Sequence, residues 1–529
     1  MPEVHFTLRW PDGTAQRCVS PSRTIEHALT EGARYPCEEL LGRTRSALQA
    51  GSERVRAKYG FACSAAAQQI DDLDDAARRL GVPADGIVSV ERLRRAPTRP
   101  RFPAPDELFG HHEAIVVGGG QAGLAVSYCL GEQAIGHVVL ERERIGHTWR
   151  TQRWDSFCLV TPNYQCRLPG HPYPGDDPDG FMVKDQIVDY VEAYAAAVRP
   201  PLHEGVAVTE VAHALGGGLR VRTSRGVLTC DTVVLAVGGY HTPTFPAMAA
   251  ELPAHITQLH SSGYKNAEAL PDGAVLVVGS GQSGAQIAED LHLAGRETHL
   301  CVGGAPRVAR FYRGRDCVAW LEDMGHYDMP IGEHPEGTAA RKEANHYVTG
   351  RDGGRDIDLR AFARDGMSLH GRLLGVRGAA LELAGDLPRN LGAADAAADR
   401  IKDAIDRHID AQGIDAPAEE RYAPVLQPAG DGGGTLDLVA AGIRTIVWAT
   451  GFRSDWSWVK LPAFDESGYP THDRGVTEVP GLYVVGLPWL HTWGSGRFAG
   501  VARDAEHLAQ RIALALAPAS DTRSAARAT

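Results

Sequence analysis

The chain has no CxxC pair, no HExxH motif, no Cys/His cluster at zinc-like spacing, and no apolar run near the roughly 18 residues that span a bilayer. Each absence removes a class of protein. Nine cysteines without a framework read as reduced, buried thiols, and the nearest pair, Cys158 and Cys166, lies eight residues apart, so electron transfer through a close dithiol is not expected. None of the 22 histidines falls in a metal-ligand pattern, and no metal is expected. No nucleophilic triad is visible, which sets hydrolysis aside. Positive charge is in deficit: 54 Lys and Arg against 66 Asp and Glu leave a net charge of −12, an argument against nucleic acid as the main partner. The segment Met1-Pro2-Glu3-Val4-His5-Phe6 has neither a basic start nor an apolar core, so no secretory signal, no membrane and a cytoplasmic location are the expectations. At roughly 150 residues per domain, 529 residues suggest three or four folding units.

A strand-turn-helix pattern is present twice. Ala114-Ile115-Val116-Val117 runs into Gly118-Gly119-Gly120-Gln121-Ala122-Gly123, with glycines at 118, 120 and 123. Ala274-Val275-Leu276-Val277-Val278 runs into Gly279-Ser280-Gly281-Gln282-Ser283-Gly284, with glycines at 279, 281 and 284. Such glycines serve a tight turn, close approach of the backbone to a pyrophosphate, and helix-on-strand packing, and the helix N-terminus then faces the phosphates. Two such turns imply two nucleotides. After the first, the strand His137 to Leu140 ends in Glu141, 23 residues beyond Gly118, where a ribose hydroxyl finds its partner. At the same offset in the second copy stands Val302, so no carboxylate repels a 2′-phosphate and NADPH fits better than NADH. Arg296, Arg307 and Arg310 are near enough in sequence to pair with that phosphate; the other reading is of surface arginines without a ligand. Gln121 and Gln282 stand beside the phosphates or simply cap their helices.

Residues 1–80 read as a separate small α+β unit, with a strand at His5 to Trp10, a turn at Pro11-Asp12-Gly13, and helices over Pro36 to Gln49 and Glu53 to Leu80. Residues 81–110 are read as a linker, because the density of Pro and Arg from Arg92 to Pro105 prevents helix and sheet pairing. The first nucleotide domain is expected over 111–255 and again over 445–517, with Thr445 to Gly451 as the returning strand. The second domain occupies 256–444, including an inserted helical stretch, and 518–529 forms a disordered tail.

From about Glu113 to Leu516 the chain resembles the flavin-containing monooxygenase superfamily, the class B flavoproteins with nested FAD and NADPH domains. The matching pieces are the two glycine turns, Gly146-His147-Thr148-Trp149, His260-Ser261-Ser262-Gly263-Tyr264, and Ala449-Thr450-Gly451-Phe452. Pro480 to Asp504, with Gly486-Leu487-Pro488-Trp489-Leu490-His491-Thr492-Trp493, resembles a bacterial branch of flavin-dependent oxidoreductases. The family fingerprint FxGxxxHxxxY is incomplete, since Ala254 and Ile256 occupy its first two positions. Tyr264 ends the motif where ketone-oxidising relatives carry tryptophan, and Gly303-Gly304 stands where they carry arginine, so ketone oxygenation is disfavoured. Residues 1–80, above all Ser52 to Cys63, resemble a small bacterial protein linked to nitrogen starvation, whose gene tends to cluster with this flavoprotein branch and a nitrilase.

The resemblance implies an α/β fold with two nested Rossmann-like dinucleotide-binding domains, for FAD and NADPH, plus the small α+β N-terminal module. It also implies hydride transfer from NADPH to FAD, formation of a flavin C4a-hydroperoxide with O2, and oxygenation of a small nitrogen-containing metabolite of nitrogen or nitrile metabolism. The implied cofactor-binding residues are Gly118, Gly120, Gln121, Gly123, Glu141, Trp149, Arg150, Gly279, Gly281, Gln282, Ser283, Gly284, Arg307, Thr450, Gly451, Gly486 and Leu487. Asn163 occupies the place of an asparagine that supports the peroxide or the nicotinamide; alternatively it makes a loop turn. Trp489, Trp493 and His491 are the substrate candidates, against core, dimer or structural roles. Arg313, Arg315 and Asp316 would meet a carboxylated substrate or pair with each other. Two further readings stay open: an oxidoreductase or oxidase that inserts no oxygen, and a nucleotide-binding regulator of nitrogen status. A homodimer, and a pathway partner for the N-terminal module, complete the expectations.

Overall fold

The computed structural model describes residues 4–20, 24–59, 64–95, 108 and 110–517, which fall into two compact units. In the N-terminal unit, Val4, Phe6, Leu8 and Trp10 alternate inward and are almost free of solvent contact, the period-two signature of a strand with one buried face. That strand, Val4–Arg9, lies inside a four-stranded antiparallel sheet in the order Ala15–Ser20, Val4–Arg9, Ile87–Arg95, Arg34–Pro36. Ile25, Leu40, Ala47, Leu73 and Ala76 complete its core, the last four from the helices Cys37–Tyr59 and Ser64–Arg79. The sheet corrects the boundary drawn at residue 80. Ile87–Arg95 pairs with two strands and belongs to the unit, because the first proline of the basic stretch is Pro97 and the Arg92-Leu93-Arg94-Arg95 backbone is free to form a ladder. The rest of the expected linker, residues 96–107 and 109, lies outside the described residues, as do 60–63 and the 518–529 tail.

The second unit is built on two large sheets, beside four small ones of two or three strands. The first is nine-stranded, and its main path runs His472–Asp473, Val476–Thr477, Leu482–Val484, Gly226–Leu235, His111–Val117, His137–Leu140, Leu202–His203. Its central pairs are parallel. Parallel strands covered on both faces need continuous apolar runs, and Ala114 to Val117, Val138 to Leu140 and Val233 to Leu235 supply them. The second sheet is five-stranded and parallel throughout, in the order Thr257–His260, Ile443–Trp448, Ala274–Val278, Thr298–Cys301, Ser368–His370.

This order moves a domain boundary. The strand expected to return to the first sheet, Ile443–Trp448, lies at the heart of the second, and Trp448 Nε1 donates to Gln258 Oε1 at 3.0 Å. A wholly buried run such as Ile446-Val447-Trp448 satisfies either sheet, and only the parallel register settles which. The chain regains the first sheet through His472–Asp473, Val476–Thr477 and Leu482–Val484. The inserted stretch holds the helix Leu387–Gln412, which opens with Pro388, buries Leu391, Ala394, Ala398, Ile405 and Ile409 along one face, and stops at left-handed Gly413. No described helix is long and apolar enough to cross a membrane.

Candidate active site

The two glycine turns are built alike, atom for atom where it matters. Gly118 has φ +108° and Gly279 φ +102°, and a Cβ on either would lie 2.6 Å from the Ala236 carbonyl oxygen or 2.7 Å from that of Ala449. A Cβ on Gly123 would stand 1.9 Å from the Gly118 carbonyl oxygen, and one on Gly284 1.9 Å from that of Gly279. The helices Gln121–Glu132 and Gln282–Leu293 therefore rest on their strands through hydrogen alone. The middle glycines, Gly120 and Gly281, have nothing within 4 Å of where a Cβ would point, which leaves the room a pyrophosphate needs beside the helix N-terminus. Glu141 ends the strand after the first turn and accepts from the Gly119 N–H at 2.6 Å and the Glu143 N–H at 2.8 Å, each carboxylate oxygen keeping a lone pair for a ribose hydroxyl. Val302, its counterpart, is buried.

Around the first turn opens a cavity of about 620 Å³. Of the residues expected to hold a cofactor, Gly118, Gly120, Gln121, Glu141, Trp149 and Gly486 line it. Gly486, at φ +76°, packs so closely on the first-turn helix that a Cβ would approach the Ala122 Cβ to 2.5 Å. Gln282 and Gln286 enter from the helix of the second turn, and both donate to the Val348 carbonyl, at 2.7 and 3.1 Å. Ser283 is exposed and lies off this wall, as do Gly279, Gly281 and Gly284.

The other expected site residues lie off the cavity wall. Asn163 is buried and off the cavity. Its amide closes a loop, donating to the Asp177 carbonyl at 2.9 Å and accepting from the Met182 N–H at 2.7 Å. Arg150 is ion-paired with Glu192 rather than turned to the cavity. Arg307 is buried, donates to Asp395 at 2.7 Å and lies 4.1 Å above the Tyr422 ring, so no phosphate role is assigned to it. Thr450 donates to the Thr244 carbonyl, and the Gly451 carbonyl bonds a ring nitrogen of His260 at 2.9 Å; these residues join the strand connections between the sheets. Leu487 is core. Trp489, His491 and Trp493 pack on the inserted stretch instead of lining the cavity: Trp489 meets His334, the His491 carbonyl accepts from the Ile331 N–H at 2.7 Å, and Trp493 lies against Tyr327. Arg313, Arg315 and Asp316 pair with Asp406, Asp323 and Arg310 respectively.

Sequence reasoning missed Arg153, Phe157, Tyr240, Arg497 and Phe498, all on the cavity wall. Trp149 stacks on Phe498 at 5.9 Å and tilts against Phe157 at 6.0 Å, forming an aromatic corner. The signal was the placement of Gly496-Arg497-Phe498 two residues short of the helix Val501–Leu516, opposite a turn only the fold brings near. Burial holds the Cys158 thiol up at about 11 and the Cys166 thiol at about 12, so neither offers a thiolate at neutral pH.

Comparison with known proteins agrees with this geometry. Residues 115–315 match the family model described as pyridine nucleotide-disulphide oxidoreductase, and residues 5–93 that of nitrogen starvation-induced protein NitG. An uncharacterized CzcO-like oxidoreductase of Geobacillus kaustophilus is 32% identical over 406 residues, 76% of this chain and 98% of that protein. The indole-3-pyruvate monooxygenase YUCCA1 of Oryza sativa subsp. japonica is 36% identical over 198 residues, 37% of this chain and 48% of its own length. A flavin-containing monooxygenase from Stenotrophomonas maltophilia shares the fold, with a TM-score of 0.54 at 19% identity, covering 77% of this chain and 99% of that one. Two Rossmann-like domains around a common cavity define an enzyme of the flavin-dependent oxidoreductase type. The chain belongs to the CzcO-like oxidoreductase family, joined to an N-terminal NitG module.

Proposed function

We propose that the chain is an FAD- and NADPH-dependent monooxygenase acting on a small nitrogen-containing metabolite. The observation that carries this reading is the shared cavity: the first turn, an aromatic corner and two glutamines from the second-turn helix face one space. FAD fits the first turn, where Gly120 leaves room and Glu141 keeps acceptor capacity. NADPH fits the second, where Gly281 leaves room and Val302 withholds a repelling charge. When bound, FAD would supply the redox chemistry, taking a hydride from NADPH and passing one oxygen atom of O2 to the substrate. The chain's own part is positional. Helix N-termini at Gln121 and Gln282 direct N–H groups to phosphates, and Trp149, Phe157 and Phe498 keep water from the reacting rings. The monooxygenase named among the relatives supports the reaction class, and the NitG module supports nitrogen metabolism, with that module as a contact for a pathway partner.

The test is to mix the purified protein with NADPH in air and follow bleaching of its visible absorbance, NADPH consumption and peroxide release with candidate amines, amino acids and nitriles. Bleaching, with peroxide well below NADPH consumed for an accepted substrate, is the expected result. Colourless protein that refuses added FAD would end this reading, and peroxide equal to NADPH with every compound would make the enzyme an oxidase.

A further inference from the structure

Most arginines around the nucleotide domains have a carboxylate partner: Arg144 and Arg150 share Glu192, Arg307 and Arg360 share Asp395, and Arg310 holds Asp316. Arg153 and Arg497, both on the cavity wall, have none among the described residues. Arg153 donates to the neighbouring Gln152 carbonyl at 2.9 Å, and its guanidinium lies 4.9 Å from the Trp149 ring centre and 5.5 Å from that of Phe157. Arg497 donates to the Trp493 carbonyl and, at 2.8 Å, to Asn345 Oδ1, with its guanidinium 3.5 Å from the Trp493 ring centre. The Tyr240 phenol is within electrostatic reach of both.

The carboxylates of the cavity do not serve them. Glu141 is held by two backbone N–H groups, and Asp455 accepts from the Ser457 N–H at 3.0 Å. Desolvation lowers both arginines, Arg497 to about 10, so both remain cations at neutral pH. Both are half-buried cations on aromatic faces with no counter-charge, a setting that favours a ligand supplying the anion, and the planar guanidinium fork suits a carboxylate or phosphate. Phosphates of the two dinucleotides have their donors at the turns, and Val302 to Arg307, where the second nucleotide's adenosine would end, lie off this cavity.

We propose that Arg153 and Arg497 form an oxyanion-recognition pair for the carboxylate of the organic substrate, which makes that substrate a nitrogen-bearing carboxylic acid rather than a simple amine or nitrile. This assignment rests on the monooxygenase reading for the word substrate, but the pair binds its anion without turnover. Because both guanidinium groups lie on tryptophans, the test is a tryptophan-fluorescence titration of the flavin-loaded protein with phenylacetate and, as the neutral match, phenylacetamide. Saturable quenching by phenylacetate alone is expected. It should weaken roughly ten- to hundredfold in Arg153→Met and Arg497→Met, and less in Arg497→Lys, with FAD content and NADPH affinity unchanged. Equal binding of the two probes overturns the proposal. So does a loss of FAD or NADPH affinity in the variants with phenylacetate binding intact, which would hand the arginines to dinucleotide phosphate. Melting curves of the Lys and Met variants separate misfolding from lost recognition, and failure to oxidise NADPH would count against the monooxygenase reading alone.

Discussion

Gly284→Ala isolates the demand that the second turn places on its helix. A methyl there would sit 1.9 Å from the Gly279 carbonyl oxygen, about 1.5 Å short of the 3.4 Å of an ordinary contact. The nearest obstacles are the Gly279 backbone and the Ala449 Cβ at 3.0 Å, and neither can swing aside as a long side chain would. The helix Gln282–Leu293 must therefore lift, and its N-terminus moves with it. Alanine favours a helix interior over glycine by about 1 kcal/mol, and overpacking costs about 1 to 3 kcal/mol, so the observed effect is the difference, a net loss of up to about 2 kcal/mol. A control stands in the same sheet's domain. Gly392, exposed in the helix Leu387–Gln412 with nothing within 4 Å of its would-be Cβ, should become more stable by up to about 1 kcal/mol as alanine. Urea denaturation compares the two, and isothermal titration with NADPH reads the displaced N-terminus, which should bind at least tenfold more weakly while FAD content holds. If Gly284→Ala matches Gly392→Ala in stability and binds NADPH like the parent, the helix does not depend on the close approach at the duplicated turn.

Three further outcomes follow from single side chains. Glu289, 1% exposed and 3.0 Å from Arg355 Nη1, has its carboxyl pushed up to about 7 by burial. The folded state thus holds a proton the unfolded chain releases near pH 4.3. Stability is intact below that value and falls as pH rises through about 7, by up to about 3 kcal/mol; Glu289→Gln should flatten the profile in urea melts from pH 5 to 9, and an unchanged slope would refute the assignment. Asn163→Ala should lose about 1 to 3 kcal/mol, since the Asp177 carbonyl and the Met182 N–H both lose a partner, while NADPH oxidation per folded molecule stays within about twofold. A collapse of turnover without a stability loss would restore its catalytic role. Arg307→Met should destabilise by about 2 kcal/mol or more yet leave the NADPH-to-NADH preference unchanged, because its charge holds Asp395; a shift of preference towards NADH would show that it meets the 2′-phosphate after all.

What could be read in the chain was what glycine and backbone dictate. Gly118, Gly123, Gly279 and Gly284 are local requirements, and a turn with its strand and helix occupies little more than ten consecutive residues. Glu141 was legible for the same reason, at the end of the next strand. Long-range pairing was not. Ile443–Trp448 is apolar enough for either sheet, and Ile87–Arg95 reads as a basic linker until a ladder with Val4–Arg9 forms. Arginine roles failed most often because a guanidinium reaches far. Arg307 and Arg150 look like phosphate or flavin ligands until Asp395 and Glu192 arrive from 88 and 42 residues away, while Arg153 and Arg497 show no mark of being without a carboxylate.

The structure also ties the second turn to the wall of the first. Asp290, one residue after Glu289 on the second-turn helix, accepts from Tyr264 Oη at 2.7 Å, from Arg351 Nη1 at 2.8 Å and from Ser156 Oγ. Ser156 lies in the segment that carries Trp149, Arg153 and Phe157 to the cavity, and Gln286, one turn before Asp290, lines that cavity itself. A displacement of this helix, whether from a nucleotide settling at Gly281 or from a methyl at Gly284, is therefore transmitted by direct hydrogen bonds to the aromatic corner. Buried bonds to a charged carboxylate are worth about 1.5 to 3 kcal/mol each, enough to make the two move together. Asp290→Asn, which keeps the shape and weakens these bonds, should uncouple them: NADPH would still bind, but the tryptophan-fluorescence change that accompanies its binding would shrink. An undiminished change would place the coupling elsewhere, in the paired contacts of Gln282 and Gln286 with Val348.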